Sequence, residues 1–380
     1  MAYIFPEGCY FETIDQIKDS HVTIMGLGLN GGGEACVRFF LKHGAFVTVT
    51  DKKTAEELSP TISSIASDKS LDLSRLTYVL GTHREEDFAN ADCVIKNPGV
   101  KIEGNEYLAL AKAIETDISI FLHFTKAPII AVTGSKGKSS TVSAIHYGLT
   151  QAGFTTFLGG NITVSPLTFL EQTNENTPVV LELSSWQLAD LRGRKALKPK
   201  IAVITKIVPD HQNWYHSMDK YVEDKKLIYA DQSSEDYTIL DADDDGYLTE
   251  SESPVKGITC WGDLFASETK GTVLRYSRTE LAEKVCGVFQ KTLNGNTEGF
   301  AVLDSAGAEK VMGTLLVPGE HMKINVLNAA LVLRIMGVKA ERCVEITGSW
   351  KGIANRLEFF HECKLKNGSS LKFYNDPCAT

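Results

Sequence analysis

No stretch of 18 apolar residues occurs in the 380-residue sequence, so no segment is long enough to cross a bilayer as a helix. No basic segment followed by an apolar core opens the chain, which leaves export unsupported and makes a cytoplasmic location the expectation. None of the eight cysteines belongs to a Cys-x-x-Cys pair. A structural zinc site and a disulfide framework are both disfavoured, and reduced core thiols are expected. Long basic runs are missing too. The 39 Lys plus Arg stand against 48 Asp plus Glu, a net charge of -9, which argues against nucleic acid or an anionic membrane as partner. A chain of this length has material for two or three domains.

Glycine, by contrast, is clustered. Residues 133–141 read Thr-Gly-Ser-Lys-Gly-Lys-Ser-Ser-Thr, between the apolar run 128–132 and a helical stretch beginning near Val142. Gly134 and Gly137 let successive backbone N–H groups turn toward one anion, Lys138 adds a charge for the outer phosphates of a nucleotide, and Ser139 offers a hydroxyl to Mg²⁺. Ser135, Lys136 and Ser140 complete the loop. The common P-loop has four residues between its first glycine and its Gly-Lys, whereas Gly134 and Gly137 are separated by two. That spacing points away from ordinary GTPases and ATPases and toward a narrower set of ATP-using enzymes.

A second glycine cluster lies earlier. Strand-like residues 21–25 lead into 26–33, then a helical periodicity over 34–43 and a strand at 46–50 ending at Asp51. Gly26-x-Gly28-x-x-Gly31 with an acidic residue at the end of the next strand fits the dinucleotide-type fingerprint and favours a phosphate-bearing ligand. Tight turning and close helix packing alone would also use such glycines. A further strand at 91–95 runs into Asn97-Pro98-Gly99, a turn at the end of the sheet where α/β folds place ligands.

The α/β alternation resumes near Phe121, with strands at 129–132, 179–183 and 201–204, which implies a largely parallel sheet with active groups at the strand ends. Three candidates fall there: Glu182-Leu183-Ser184-Ser185-Trp186-Gln187-Leu188, the pair Asp210-His211, and the segment carrying Lys225 and Lys226. Asp241-Ala-Asp243-Asp-Asp245-Gly246 with Glu252 satisfies the spacing of an EF-hand loop. That motif needs a helix on each side, whereas 237–240 is β-like and Ser253, Pro254 and Gly257 follow, so a strand-to-turn segment is expected instead. Residues 260–312 show β-like pieces near 273–276 and 299–303 and no chemistry.

The loop at 133–140, the Glu-Leu-Ser-Ser-Trp-Gln-Leu segment, and Asp210-His211 followed by Lys225 together resemble the Mur ligase family. Within it, the Glu182 segment is similar to the version in the D-glutamate-adding members. Gly159-Gly160-Asn161-Ile162, Gly319-Glu320-His321, Asn325 and Arg356-Leu357-Glu358 extend the resemblance from about His21 to the last residue. It implies an α/β protein with a Rossmann-like UDP-sugar-binding domain over 1–120, a P-loop-containing, mostly parallel central ATPase domain over 121–354, and the start of a C-terminal domain over 355–380. It implies an enzyme, a ligase of peptidoglycan precursor synthesis acting as a monomer. ATP would activate the terminal carboxylate of UDP-N-acetylmuramoyl-L-alanine as an acyl phosphate, which the amine of D-glutamate then attacks. Two Mg²⁺ ions would be held by Ser139, Glu182, His211 and a carbamate on Lys225. Asn325, Arg356 and Asp376 would join the 134–140 loop around ATP. The sugar nucleotide would meet Gly28, Leu29 and Asn30 at its diphosphate, Asp51 and Lys52 near uracil and ribose, and Asn97, Pro98 and Gly99. Asn161, Ser184 and His211 would contact the rest of that substrate.

The departures from the family pattern are Lys206 for Asn, Met322 for Asn, Asn355 for His, and Cys378 where a substrate-binding lysine is usual. The family's third α/β domain, which grips the amino acid, is expected to be essentially absent. An amide ligase is favoured because Lys138, Ser139, Glu182, His211 and Lys225 are all present. A noncatalytic UDP-sugar or nucleotide-binding remnant, and a sibling ligase with another acceptor, are the alternatives. A simple dehydrogenase is the weakest, since no hydride-transfer constellation accompanies the first glycine cluster.

Overall fold

A computed structural model describes residues 3–243, 248, 255–353, 358–364 and 370–375. The chain divides into two compact units. The first comprises Met1–Ala127, Gly159–Glu175 and Leu183–Lys198, so two later segments return to the amino-terminal portion. Its sheet contains β1 (His21–Met25), β2 (Phe46–Asp51), β3 (Leu76–Leu80), β4 (Cys93–Lys96) and β5 (Ile114–Glu115), ordered β3-β2-β1-β4-β5 with every pairing parallel. The order reverses at β1, which opens a crevice beyond its carboxyl end. There the 26–33 cluster leads into the helix Gly32–Lys42. A Cβ on Gly33 would stand 2.3 Å from the Leu27 carbonyl oxygen and 2.5 Å from that of Gly26, so the helix approaches the loop closely only because Gly33 has no side chain. Phe5, Met25, Phe88 and Val94 are among the side chains that fill the core beside β4.

The second unit comprises Pro128–Leu158, Asn176–Glu182 and Pro199–Thr380. Its strands are β6 (Ile129–Thr133), β7 (Phe157–Gly160), β8 (Val179–Glu182), β9 (Ile201–Ile204), β10 (Tyr237–Asp241), β11 (Thr272–Ser277), β12 (Gly287–Leu293), β13 (Asn296–Val302) and β14 (Glu309–Met312). They follow the order β14-β13-β12-β11-β10-β9-β6-β8-β7. The run from β8 through β12 is parallel, and β12, β13 and β14 form an antiparallel extension. β6, β8 and β9 are buried at every position, as expected of parallel strands covered on both faces. Here the reversal falls at β6, whose end is Thr133, the first residue of the phosphate-type loop. The helix Lys138–Gln151 follows that loop and packs against the helix Glu320–Ile335, Gly148 lying against Leu333.

At the end of β10 the Asp243 carboxylate accepts hydrogen bonds from the Ser277 hydroxyl at 2.7 Å and the Arg278 N–H at 3.1 Å. This ties the turn after β10 to the end of β11, in keeping with a strand-to-turn reading of Asp241–Asp243. Asp245, Gly246 and Glu252 lie outside the described residues. A two-stranded antiparallel hairpin, β15 (Glu358–Lys364) and β16 (Ser370–Asn375), completes the described chain. Asn355, Arg356, Asp376 and Cys378 also lie outside the described residues.

Candidate functional site

In the second unit the loop after β6 is held from below. The backbone N–H groups of Ser135 and Lys136 donate to the Lys206 carbonyl at 2.8 and 3.2 Å. The Ser135 hydroxyl donates to the Val208 carbonyl at 2.8 Å and accepts from the Tyr221 hydroxyl at 2.9 Å. Ser135 therefore works here as a clamp between the loop, the 205–208 segment and the helix Met218–Lys226. Gly137 caps the helix Lys138–Gln151 with φ 93°, and a Cβ there would lie 2.5 Å from Asn325 Oδ1. Both facts require glycine. They also set Asn325 directly against the loop. The N–H groups of Lys138, Ser139 and Ser140 form the open first turn of that helix, where an anion is favoured.

Two lysine amines converge on one carbonyl. Lys138 Nζ donates to the Gly134 oxygen at 2.9 Å and to the Ser135 oxygen at 3.2 Å, while Lys225 Nζ donates to the same Gly134 oxygen at 2.8 Å. Lys225 is 1% exposed, and its nitrogen lies 4.6 Å from the centre of the Tyr221 ring. Burial, and then the charge of Lys138, push the Lys225 amine well below the ordinary lysine range. Burial lowers Lys138 as well, against the raising pull of Glu182 and Asp210. Glu182 ends β8 at 1% exposure, within electrostatic reach of both amines. Burial opposes ionisation of Asp210, but His211 and Lys136 together hold its carboxyl below the usual range. Lys136 pairs with Asp210 at 3.4 Å, and the exposed His211 adopts a left-handed backbone at φ 51°, its N–H donating to Asp210.

The oxygen donors here, the Ser139 hydroxyl and the Glu182 carboxylate, are of the kind that Mg²⁺ prefers. Among the described residues no three His, Cys, Asp or Glu side chains gather around one point.

The first unit contains a cavity of about 350 Å³, the size of a small-ligand pocket. Of the residues expected at a sugar nucleotide, Asn30, Asn97, Pro98, Gly99, Asn161 and Ser184 line it. Gly28, Leu29, Asp51, Lys52 and His211 are not part of that lining. The Asp51 carboxylate instead accepts from the Gly28 and Lys53 N–H groups at 3.1 and 2.9 Å and so shapes the loop, while Leu29 is half exposed. Asn97 Oδ1 accepts from the Gly99 N–H at 3.1 Å, fixing the Asn-Pro-Gly turn. Ser184 caps the short helix Ser185–Ala189 in a reciprocal box with Gln187, which turns Trp186 and Gln187 into the cavity wall.

Lys96, Asp117, Thr163 and Ser165 also line the cavity without having been expected there. Only the position of Lys96 beside Asn97 could have flagged one of them. Lys96 is buried and pairs with Asp190 at 2.6 Å. Burial pushes the Asp190 carboxyl up to about 6, against the lowering influence of Lys96.

Two parallel sheets whose strand order reverses at a glycine-rich loop, one of the loops bearing a lysine, place the chain among α/β proteins built to bind nucleotides. The Mur ligase middle domain matches residues 132–333, and the Mur ligase MurD-like N-terminal domain matches residues 20–121. The UDP-N-acetylmuramoylalanine–D-glutamate ligase of Treponema pallidum is 38% identical over 96% of this chain and 76% of its own length. The enzyme of the same name from Borreliella burgdorferi is 38% identical over 97% of this chain and 73% of its own. The chain thus spans about three quarters of the length of these relatives. Among solved structures, the UDP-N-acetylmuramate:L-alanyl-gamma-D-glutamyl-meso-diaminopimelate ligase from Neisseria meningitides shares the fold at a TM-score of 0.59 and 18% identity, over 88% of this chain and 99% of that one. The murein peptide ligase of Psychrobacter arcticus does so at 0.59 and 16%, over 94% of this chain and 72% of that one. The chain belongs to the Mur ligase family.

Proposed function

We propose that this chain joins D-glutamate to UDP-N-acetylmuramoyl-L-alanine, using ATP to convert the alanyl carboxylate into an acyl phosphate. The observation that carries the chemistry is the convergence of the Lys138 and Lys225 amines on the Gly134 carbonyl, with the Glu182 carboxylate in reach. Moving a phosphoryl group onto a carboxylate brings two anions together, so charge neutralisation and in-line placement supply most of the rate. Residues 134–140 and Asn325 hold the nucleotide, and Lys138 leaves its loop carbonyls to meet the outer phosphates.

Lys225 serves differently. Burial beside Lys138 lowers its basicity and so favours the neutral amine, the form that adds CO₂ to give a carbamate and one proton. The carbamate, Glu182, His211 and Ser139 would hold two Mg²⁺ ions, whose charge would screen the γ-phosphate and the carboxylate. Arg356 and Asp376 belong to the nucleotide site in the same reading. In the first unit the cavity takes the sugar nucleotide through Asn30, Asn97, Pro98, Gly99, Asn161 and Ser184. Gly28, Leu29, Asp51 and Lys52 flank the nucleotide end. The functional segments are 1–120, 121–354 and 355–380, and the chain acts as a cytoplasmic monomer. The test is phosphate release from ATP and Mg²⁺ with UDP-N-acetylmuramoyl-L-alanine and D-glutamate. Release that needs both substrates is the expected result. Tight nucleotide binding with no release would identify a binding protein instead.

A further inference from the structure

We infer that a buried chain of four charged side chains sets the shape of the sugar-nucleotide cavity, with Lys96 as a positioning residue for the diphosphate-bearing substrate. The inference rests on assigning this cavity to UDP-N-acetylmuramoyl-L-alanine. Lys96, Asp190, Arg194 and Glu115 are between 2% and 5% exposed. Lys96 Nζ pairs with Asp190 at 2.6 Å, and Arg194 Nη1 pairs with Glu115 at 2.9 Å. The two pairs are joined where Arg194 Nε donates to the Asp190 backbone carbonyl at 2.9 Å.

Each ion also fixes a backbone or side-chain atom in or beside a segment that lines the cavity. Lys96 Nζ donates to the Asn97 carbonyl at 3.3 Å, at the base of the Asn-Pro-Gly turn. Asp190 terminates the helix Ser185–Ala189, whose start contributes Ser184, Trp186 and Gln187 to the lining. Glu115 accepts from the Ser119 hydroxyl at 2.5 Å, and Arg194 Nη2 donates to the Ile114 carbonyl at 2.5 Å. The first bond holds the first turn of the helix Asp117–Phe124 and the second holds β5 just before it, and Asp117 of that turn lines the cavity. Three segments far apart in sequence are thereby held in one frame.

Stability alone does not account for such a chain. Buried ion pairs are commonly matched or surpassed by well-packed apolar side chains of similar volume, because desolvation consumes the Coulombic gain. What the ions provide that apolar groups cannot is direction, since each hydrogen bond fixes a particular backbone atom. Lys96 is the member that both lines the cavity and holds Asn97, so its loss disturbs the turn that meets the ligand.

The test is calorimetric titration of the full chain with UDP-N-acetylmuramoyl-L-alanine and, separately, with MgADP, for wild type, Lys96→Met and the double variant K96M/D190L. Lys96→Met is expected to weaken the sugar nucleotide about 10-fold or more, the usual effect of removing a group that orients ligand-binding residues. MgADP affinity is expected to stay within about 2-fold, as for an independent site. The double variant removes both charges and so avoids a stranded ion. It is expected to melt near wild type while retaining the selective loss for the sugar nucleotide, and in turnover to raise KM for that substrate far more than it lowers kcat. A double variant that melts and binds like wild type overturns the inference, as does one that loses both ligands equally. A wild-type chain that binds MgADP but not the sugar nucleotide would instead overturn the assignment of the cavity itself.

Discussion

The two glycine-rich loops each follow a buried parallel strand and open a helix, yet they handle charge in opposite ways. Residues 26–33 contain no ionisable side chain, and the Lys96 amine in the cavity lining is matched by Asp190 at 2.6 Å. Residues 134–140 contain Lys136, paired with Asp210 at 3.4 Å, and Lys138, whose amine rests, among the described residues, only on the Gly134 and Ser135 carbonyls. A loop that only holds a ligand can have its charges compensated in advance. A loop that drives phosphoryl transfer must keep positive charge available for negative charge that develops during the reaction. In the proposed reading the contrast separates a holding site from a reacting site within one chain.

The strongest way to break this contrast is to remove the cation from the reacting loop. Lys138→Ala is expected to lower kcat by about 10³-fold, with the sugar-nucleotide Kd unchanged. A loss confined to sugar-nucleotide binding would reverse the assignment of the two loops. Next in size is Gly33→Ala. Its Cβ would overlap the Leu27 and Gly26 carbonyls, and thermal unfolding should show a loss of about 3 kcal/mol. MgADP binding at temperatures where the variant is folded should persist. Gly137→Ala is the matching change in the other loop. Its positive φ and the contact with Asn325 Oδ1 should cost about 2 kcal/mol in MgADP affinity, read by titration, with sugar-nucleotide binding retained.

The smallest effect concerns Lys225. Its amine is held well below the ordinary lysine value of 10.5 in the folded chain, so between that depressed value and 10.5 the unfolded chain binds more protons. Stability in CO₂-free buffer should therefore rise with pH across this window, by at most about 1.4 kcal/mol per pH unit. Urea unfolding of Lys225→Met should lack that slope. An unchanged slope would mean that Lys225 is charged in the native state, which would remove the basis for a carbamate.

Much of this was legible in the sequence because it is local. The phosphate loop, the Asn-Pro-Gly turn and the strands at the two reversals are each declared by residues within a few positions of one another. Strand-to-turn chemistry at Asp241–Asp243 was legible for the same reason. The rest is set by distant partners. Nothing near Ser135 announces the Tyr221 hydroxyl, and the demand for glycine at Gly33 comes from carbonyls on the preceding loop. Lys96 finds Asp190 only because 183–198 returns to the first unit. Antiparallel β12, β13 and β14 were visible as fragments of β pattern, but the register joining them to a parallel sheet is a property of the fold.

The central claim is that the γ-phosphate passes to a carboxylate and not to water. It is tested most directly by supplying UDP-N-acetylmuramoyl-L-alanine labelled with ¹⁸O in its terminal carboxylate and analysing the released phosphate by mass spectrometry. In an acyl phosphate a carboxylate oxygen becomes bonded to phosphorus and leaves with it when the amine attacks the carbonyl. The account predicts one ¹⁸O in each phosphate released from fully labelled substrate. Phosphate without ¹⁸O, its new oxygen drawn from water, would contradict it.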